Sequence, residues 1–364
     1  MQKPERLAVI LFNLGGPDTL AAVRPFLFNL FDDPAILRLP SPFRSLLAWY
    51  IARRRAPIAR EIYGRIGGRS PILENTERQA AALAASLADL GTVEVFPVMR
   101  YWHPRAETVA RQVAAFGPDR LVLLPLYPQF STTTTASSLK EWRGHAGRYG
   151  LGEVPTHTVC CYPESAGFVR ELARRIAPHL EAAGTAGRPR LLLSAHGLPK
   201  KIVAAGDPYQ QQVEATATAV RAALKPAEPE VIVCYQSRVG PLEWIGPATL
   251  DEVRRAGAEG RPLVVVPVAF VSEHSETLVE LDIELAEEAA AAGVPAYRRV
   301  PTVDAGSLFI EGLADLVRSA AGGPDGIAGE WGQRWCPETS SGCPCPLKPK
   351  DRSDSKETAA CRTS

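Results

Sequence analysis

The chain has 364 residues, 46% apolar and 22% charged, the balance of an ordinary globular protein, which excludes disorder, collagen and coiled coil for its bulk. Its 41 Lys and Arg offset 40 Asp and Glu for a net charge of +1, so no global field recruits nucleic acid and electrostatics must act locally. No stretch reaches the ~18 consecutive apolar residues that would span a bilayer, and the mixed-charge start lacks a signal cleavage site, so the cytoplasm is the expected compartment.

In chain order, short apolar runs at 7–14, 93–99, 121–126, 156–161, 191–194, 231–234 and 263–268 read as strands. Amphipathic stretches at 77–90, 106–116, 166–183, 210–224 and 275–292 separate many of them and read as helices. Strands apolar throughout, alternating with helices, predict parallel sheets covered on both faces, an α/β fold. The strands form two groups of similar build, with a boundary near 150–170. The expected division is 1–160, 161–320 and a cysteine-rich extension at 321–364 that ends in a polar tail from Lys348.

Several segments carry residues suited to chemistry. From Phe26 to Arg60 the chain is rich in Phe, Leu, Trp and Tyr and then basic at Arg53-Arg54-Arg55, which suits a membrane face or a large flat ligand bearing carboxylates. Tyr127-Pro128-Gln129-Phe130-Ser131 leads into Thr132 to Thr135, a hydroxyl-rich loop able to cradle a phosphate, as in a flavodoxin-like electron carrier. The strand at 191–194 runs into Ala195-His196-Gly197-Leu198-Pro199. His196 is thus the first strongly functional side chain past a buried strand end, where open α/β sheets bind ligands.

The strand at 263–268 ends in Ser272-Glu273-His274-Ser275-Glu276-Thr277. Glu276, Glu280 and Glu284 follow at helical i, i+4, i+8 spacing, a carboxylate ladder suited to a divalent cation. Seven cysteines are an odd number in a chain too large to need disulfide stapling. Cys336, Cys343 and Cys345 form a Cys-x6-Cys-x-Cys set, one ligand short of a zinc or iron–sulfur site, and Cys160 or Cys161 would complete it across space.

Together these residues resemble the ferrochelatase family over residues 11–320. The carrying motifs are Leu14-Gly15-Gly16-Pro17, Arg65-Ile66-Gly67-Gly68-Arg69-Ser70-Pro71, Arg100-Tyr101 and Tyr127-Pro128-Gln129-Phe130-Ser131. Ser194-Ala195-His196-Gly197-Leu198-Pro199, Gln236-Ser237-Arg238-Val239-Gly240-Pro241 and Ser272-Glu273-His274-Ser275-Glu276-Thr277-Leu278 complete the set. The resemblance implies two similar Rossmann-like, chelatase-type domains around a porphyrin cleft, and insertion of Fe2+ into protoporphyrin IX or coproporphyrin.

It also implies roles. His196 and Glu276 are the catalytic and metal-handling pair, with Glu276 facing His196 across the macrocycle and His274 and Glu280 in the same polar constellation. Arg55, Tyr63, Ser70, Arg100 and Tyr101 line the pocket or its propionate end, and Tyr127, Trp244 and Phe270 pack on the macrocycle. The stretch 26–51 is a hydrophobic lip able to rest on the inner membrane. The cysteines resemble the ligands of a 2Fe–2S cluster, with Cys161 favoured and Cys160 the alternative beside Cys336, Cys343 and Cys345. A metal- or tetrapyrrole-binding carrier without catalysis, and a cobalt or nickel chelatase, are the competing functions.

Overall fold

The computed structural model describes residues 6–225, 229–238, 240 and 242–347; Val239 and Pro241 of the sixth motif, the tail from Lys348 and Cys361 lie outside them. The first half runs β1 (Arg6–Asn13), α1 (Val23–Phe31), α2 (Ser41–Gly64), α3 (Ile72–Ser86), β2 (Thr92–Met99), α4 (Ala106–Phe116), β3 (Arg120–Pro125), α5 (Thr135–Ala146) and β4 (Thr156–Val159). After α6 (Ala166–Gly184) come β5 (Arg190–His196), α7 (Lys200–Ala204), α8 (Tyr209–Ala223), β6 (Glu230–Gln236), α9 (Thr249–Ala258) and β7 (Leu263–Pro267). A π-helical segment (Glu276–Glu284) continues into α10 (Leu285–Ala291), followed by β8 (Tyr297–Arg299), α11 (Ser307–Gly322) and β9 (Gly326–Ala328).

The expected α/β fold is present as two sheets, β2-β1-β3-β4-β9 and β6-β5-β7-β8, whose strand pairs are all parallel. Strands such as β1 and β7 are apolar because helices bury both faces, which is why they read as continuous runs rather than alternating ones. In the second sheet His196 pairs in register with Gln236, and Ser194 with Pro267. The carboxyl ends of β5, β6 and β7 therefore deliver the His196, Ser237 and Glu273–Glu276 loops to one edge, where such sheets bind ligands.

The three-part division needs correction. Val159 pairs with Ala328, so β9 is the outer strand of the first sheet, and the segment after 321 begins inside the N-terminal half. One continuous core also holds Leu7 and Leu124 of the first sheet together with Leu193 and Val266 of the second and Leu313 of α11. Apart from β9, the boundary at 160/161 divides the strands between the sheets, but no break in the core lies there.

The helices α1 and α2 stand apart from this core. Their contact is built from Val23, Phe26 and Leu27 against Ala52, Ala56 and Tyr63. Helix α2 buries Ala48, Ala52 and Ala56 at four-residue spacing, leaving Phe43, Leu46, Tyr50 and Ile58 between 54% and 67% exposed. Each such side chain forgoes about 1.5–3 kcal/mol of burial, an arrangement that makes sense on a surface meeting an apolar partner. Arg24 and Arg53 flank Trp49 at 5.7 and 5.8 Å, setting cations beside the apolar face. Among the described residues, no helix is long and apolar enough to cross a membrane.

Candidate active site

His196 closes β5, and its Nδ1 lies 2.6 Å from the carbonyl of Gly197. A carbonyl only accepts, so Nδ1 is the donor of this bond, and Nε2 is the nitrogen left to gain or lose a proton. That Nε2 points at Glu276 Oε2, 3.8 Å away, and the ring is 39% exposed. The turn behind it is tight: a Cβ on Gly197 would sit 3.0 Å from the Gln236 carbonyl and 3.1 Å from the Trp244 ring. Glycine therefore lets Trp244 press against the His196 turn.

His274 repeats the device. Its buried Nδ1 faces the Ser272 carbonyl at 3.1 Å, and its Nε2 lies 3.9 Å from the same Glu276 oxygen. Burial opposes protonation of His274, but the hydrogen bond and charge of Glu276 outweigh it and raise its pKa. Burial likewise pushes the Glu276 carboxyl up, yet His196, His274 and Ser237 hold it down at about 2. Glu276 is thus a fixed anion with two imidazoles aimed at one oxygen.

The expectation that Glu276 faces His196 across the macrocycle is corrected by the 3.8 Å separation. A flat ring needs ~3.5–4.0 Å of van der Waals contact on each side, so nothing planar fits between them. Both side chains belong to one wall of the site.

The carboxylate ladder is shorter than its spacing predicts. Glu276 begins a π-helical segment, a rare form that recurs at functional sites. Ser237, a non-glycine residue at φ +59°, joins the first two rungs. Its N–H donates to Glu280 Oε1 at 2.7 Å, and its hydroxyl reaches Glu280 Oε2 at 2.5 Å and Glu276 Oε2 at 3.3 Å. Burial and the neighbouring Glu276 charge raise the Glu280 pKa, so the two carboxyls differ in readiness to hold a proton. Glu284 is exposed and lies outside this network.

Behind the wall, Glu273 accepts from Arg299 Nη1 at 2.5 Å and from the Thr302 N–H at 2.9 Å, while Arg299 also pairs with Asp282. Asn13 Nδ2 donates to Thr76 and Ser272, and Gln79 Nε2 donates to the Val271 carbonyl at 2.9 Å. These bonds tie the His274 loop to α3 and hence to the first half of the chain.

The residues expected to line a porphyrin pocket separate into two sets. Arg55 is exposed on α2, 5.7 Å over the Phe31 ring. Tyr63 is buried with its hydroxyl 3.4 Å from Ser275 Oγ, and burial foremost pushes its pKa up to about 12. The other set is held from behind. Arg100 binds Asp33 at 2.8 Å and Glu141 at 3.3 Å, and the Tyr101 hydroxyl donates to Asp33 at 2.8 Å, so the expected propionate contact of this pair meets a cation already matched by two carboxylates.

Ser70 sits under the Gly15-Gly16 turn, where a Cβ on Gly16 would lie 2.5 Å from its side chain; it shapes that loop. Tyr127, half-buried, packs against the core that holds Trp142 and Phe12, with its hydroxyl buried. Phe270 lies against the His274 ring at 4.6 Å.

The phosphate-cradle reading of the threonine loop is overturned. Asp207 occupies it, accepting from Thr132 N at 2.7 Å, Thr132 Oγ1 at 2.6 Å and Ser131 Oγ at 2.9 Å. An internal carboxylate already takes the donors a phosphate would need.

The cysteines do converge. Cys160, Cys161, Cys336, Cys343 and Cys345 share one buried cluster. Among the described residues, the compact metal-type group is Cys160, Cys343 and Cys345, with sulfurs within 4.8 Å of one another. The neighbouring thiols of Cys160, Cys336 and Cys345 pull the Cys343 pKa down. Rather than Cys161, the compact group contains Cys160, the alternative in the sequence reading. The residue follows β4 directly, and its N–H bonds the Ala328 carbonyl of β9 at 2.6 Å, so the added strand sets it against the extension.

Sequence reasoning left Ser237, Asp33, Asp207 and Arg299 without roles. Only Ser237 carried a signal, from its place in the Gln236-Ser237-Arg238 motif. The others act on partners distant in the chain.

Comparison with known proteins bears on this geometry. A family model described as Ferrochelatase matches residues 6–321. The chain is 54% identical over 345 residues to a ferrochelatase of Caulobacter vibrioides, covering 94% of this chain and 98% of that one. It is also 54% identical over 343 residues to one of Phenylobacterium zucineum, covering 93% and 98%. Among solved structures, SirB from Bacillus subtilis with Fe3+ superposes with a TM-score of 0.51 at 13% identity, covering 87% of this chain and 96% of that one, a likeness of fold.

Proposed function

The chain belongs to the ferrochelatase family, and from that premise we propose that its cleft metallates protoporphyrin IX through His196 and Glu276. Membership makes it a porphyrin metal chelatase, a lyase of haem biosynthesis with Fe2+ as a substrate. Metallation exchanges two pyrrole protons for one Fe2+, so the site must remove protons and handle a cation.

One observation supports the roles above the rest: the Nδ1–H of His196 is spent on Gly197, which makes Nε2 the nitrogen that exchanges a proton, and it lies beside a fixed anion. Nε2 takes a pyrrole proton, and Glu276 stabilises the imidazolium that results. Glu276 also draws Fe2+ towards the ring, with His274 behind it, and oxygen and imidazole donors suit that ion. Glu280 is poised to accept the second proton because its pKa is already raised.

The macrocycle rests on this wall, with Trp244 and Tyr63 beside it and Arg55 towards a propionate. Ser70, Arg100, Tyr101, Tyr127 and Phe270 support the wall from behind. The enzyme works in the cytoplasm, with the exposed face of α2 on the inner-membrane surface. Anaerobic turnover of Fe2+ with protoporphyrin and with coproporphyrin tests the substrate: the reading expects the higher kcat/KM for protoporphyrin, and a preference for coproporphyrin overturns it.

The cysteine group fits a 2Fe–2S cluster because buried thiols, with no disulfide among the described residues, converge from two distant parts of the chain. Cys160, Cys336, Cys343 and Cys345 would hold it. When bound, such a cluster supplies iron–thiolate cross-links and a one-electron couple. Cys343→Ser removes one sulfur of the compact group and is expected to abolish the visible iron–sulfur absorbance. A full cluster in that variant, or zinc in the wild type, contradicts the assignment.

A further inference from the structure

The loop bearing Cys336, Cys343 and Cys345 has no helix or strand to hold its backbone. It has Arg334 instead. Nε donates to the Cys336 carbonyl at 3.0 Å, Nη1 to those of Cys343 at 3.3 Å and Cys345 at 2.6 Å, and Nη2 to those of Pro337 at 3.1 Å and Ser340 at 2.8 Å. A guanidinium has five N–H donors in a rigid plane, and here each has a carbonyl of this one loop. Among the described residues Arg334 makes no ion pair, and its charge lies against the carbonyls of the cysteine loop.

A second side chain reaches a sulfur directly. Gln212, fully buried on α8, accepts the Phe130 N–H on Oε1 at 2.7 Å. That bond fixes which end of the amide is which, and its Nε2 donates to Cys336 Sγ at 3.1 Å.

We propose that Arg334 and Gln212 are the positioning residues of the cysteine site: Arg334 folds the loop so that its thiols face Cys160, and Gln212 orients the Cys336 sulfur. The inference rests on the cluster reading given above. Four thiolates carry a negative charge that burial opposes, and the Arg334 guanidinium offsets it. The Gly342 N–H also ties the loop to the Gly206 carbonyl at 3.0 Å and Ser340 Oγ ties it to Gln211 at 3.2 Å, but a smaller donor set cannot reproduce the five bonds of one planar fork. The N–H from Gln212 stabilises the electron-rich sulfur and so raises the potential of the couple.

The test purifies wild type, Arg334→Ala, Arg334→Lys and Gln212→Leu anaerobically, reconstitutes each full-length protein with Fe2+ and sulfide, and measures iron, sulfide and the visible spectrum. Arg334→Ala is expected to load less than about a fifth of the wild-type cluster, with porphyrin binding and far-ultraviolet dichroism unchanged. Arg334→Lys keeps the charge and loses the fork; it is expected to load partly.

Wild-type loading in Arg334→Ala overturns the proposal. If that variant also loses porphyrin binding, Arg334→Lys decides: full loading there overturns the role of the fork, and reduced loading with porphyrin binding intact supports it. Gln212→Leu is expected to load but to show a more negative midpoint potential, and an unchanged potential removes Gln212 from the proposal. A wild type that takes up no iron and sulfide overturns the underlying cluster reading instead.

Discussion

Glu276→Gln is expected to lower kcat for Fe2+ insertion about 10²–10⁴-fold, the range for removing a group that assists proton transfer, with porphyrin affinity unchanged. The amide keeps the shape of the side chain and loses the anion that both imidazoles face at 3.8 and 3.9 Å. A loss confined to affinity for porphyrin would assign Glu276 to binding instead. The same variant should move His274. Burial lowers the His274 pKa and Glu276 raises it, so without the anion the burial effect prevails and the pKa falls, which imidazole NMR measures.

The sign of the pH effect on stability follows from the carboxyl itself. Its folded pKa, about 2, lies below the ~4.3 of an unfolded glutamate. The ionised group therefore contributes stability that is present above pH ~4.3 and is lost as pH falls towards 2. Glu276→Gln is expected to be less stable than wild type at neutral pH, the difference closing in acid.

Arg299→Met is expected to give the largest loss of stability, about 3–5 kcal/mol, the cost of removing one partner of a buried ion network. Arg299 is only 10% exposed and serves Glu273, 19% exposed, together with Asp282. Without it, Glu273 keeps the Thr302 N–H but has no cation against it. Because Glu273 precedes His274, metallation should fall with stability. Chemical denaturation gives the number, and a loss under about 1 kcal/mol would show that the carboxylates find other partners or water.

Much of this site was legible because it lies at strand ends. Residues 191–194 read as a buried run since both faces of β5 are covered, and that placed His196 at the sheet edge. Glu276 and Glu280 read as one face because i and i+4 stay neighbours in a π-helix as in an α-helix.

What stayed hidden had no local cause. Asp33 pairs with Arg100 from 67 residues away, a partner that neither the residues around Arg100 nor the family resemblance shows. Asp207 fills the threonine loop from 75 residues away, so those hydroxyls read as vacant. Strands β8 and β9, three residues each, are too short to show a pattern, yet β9 carries the extension onto the first sheet beside Cys160. The separation of His196 and Glu276 depends on how two loops meet, which spacing within either loop does not encode.

The measurement that bears most directly on the central claim is anaerobic metallation of protoporphyrin by wild type and by His196→Ala, followed by porphyrin fluorescence and the haem Soret band. The account predicts haem from the wild type and a rate about 10²–10⁴-fold lower from the variant, with porphyrin still bound. Equal rates would contradict it, leaving His196 a structural residue and Glu276 the group to carry the chemistry.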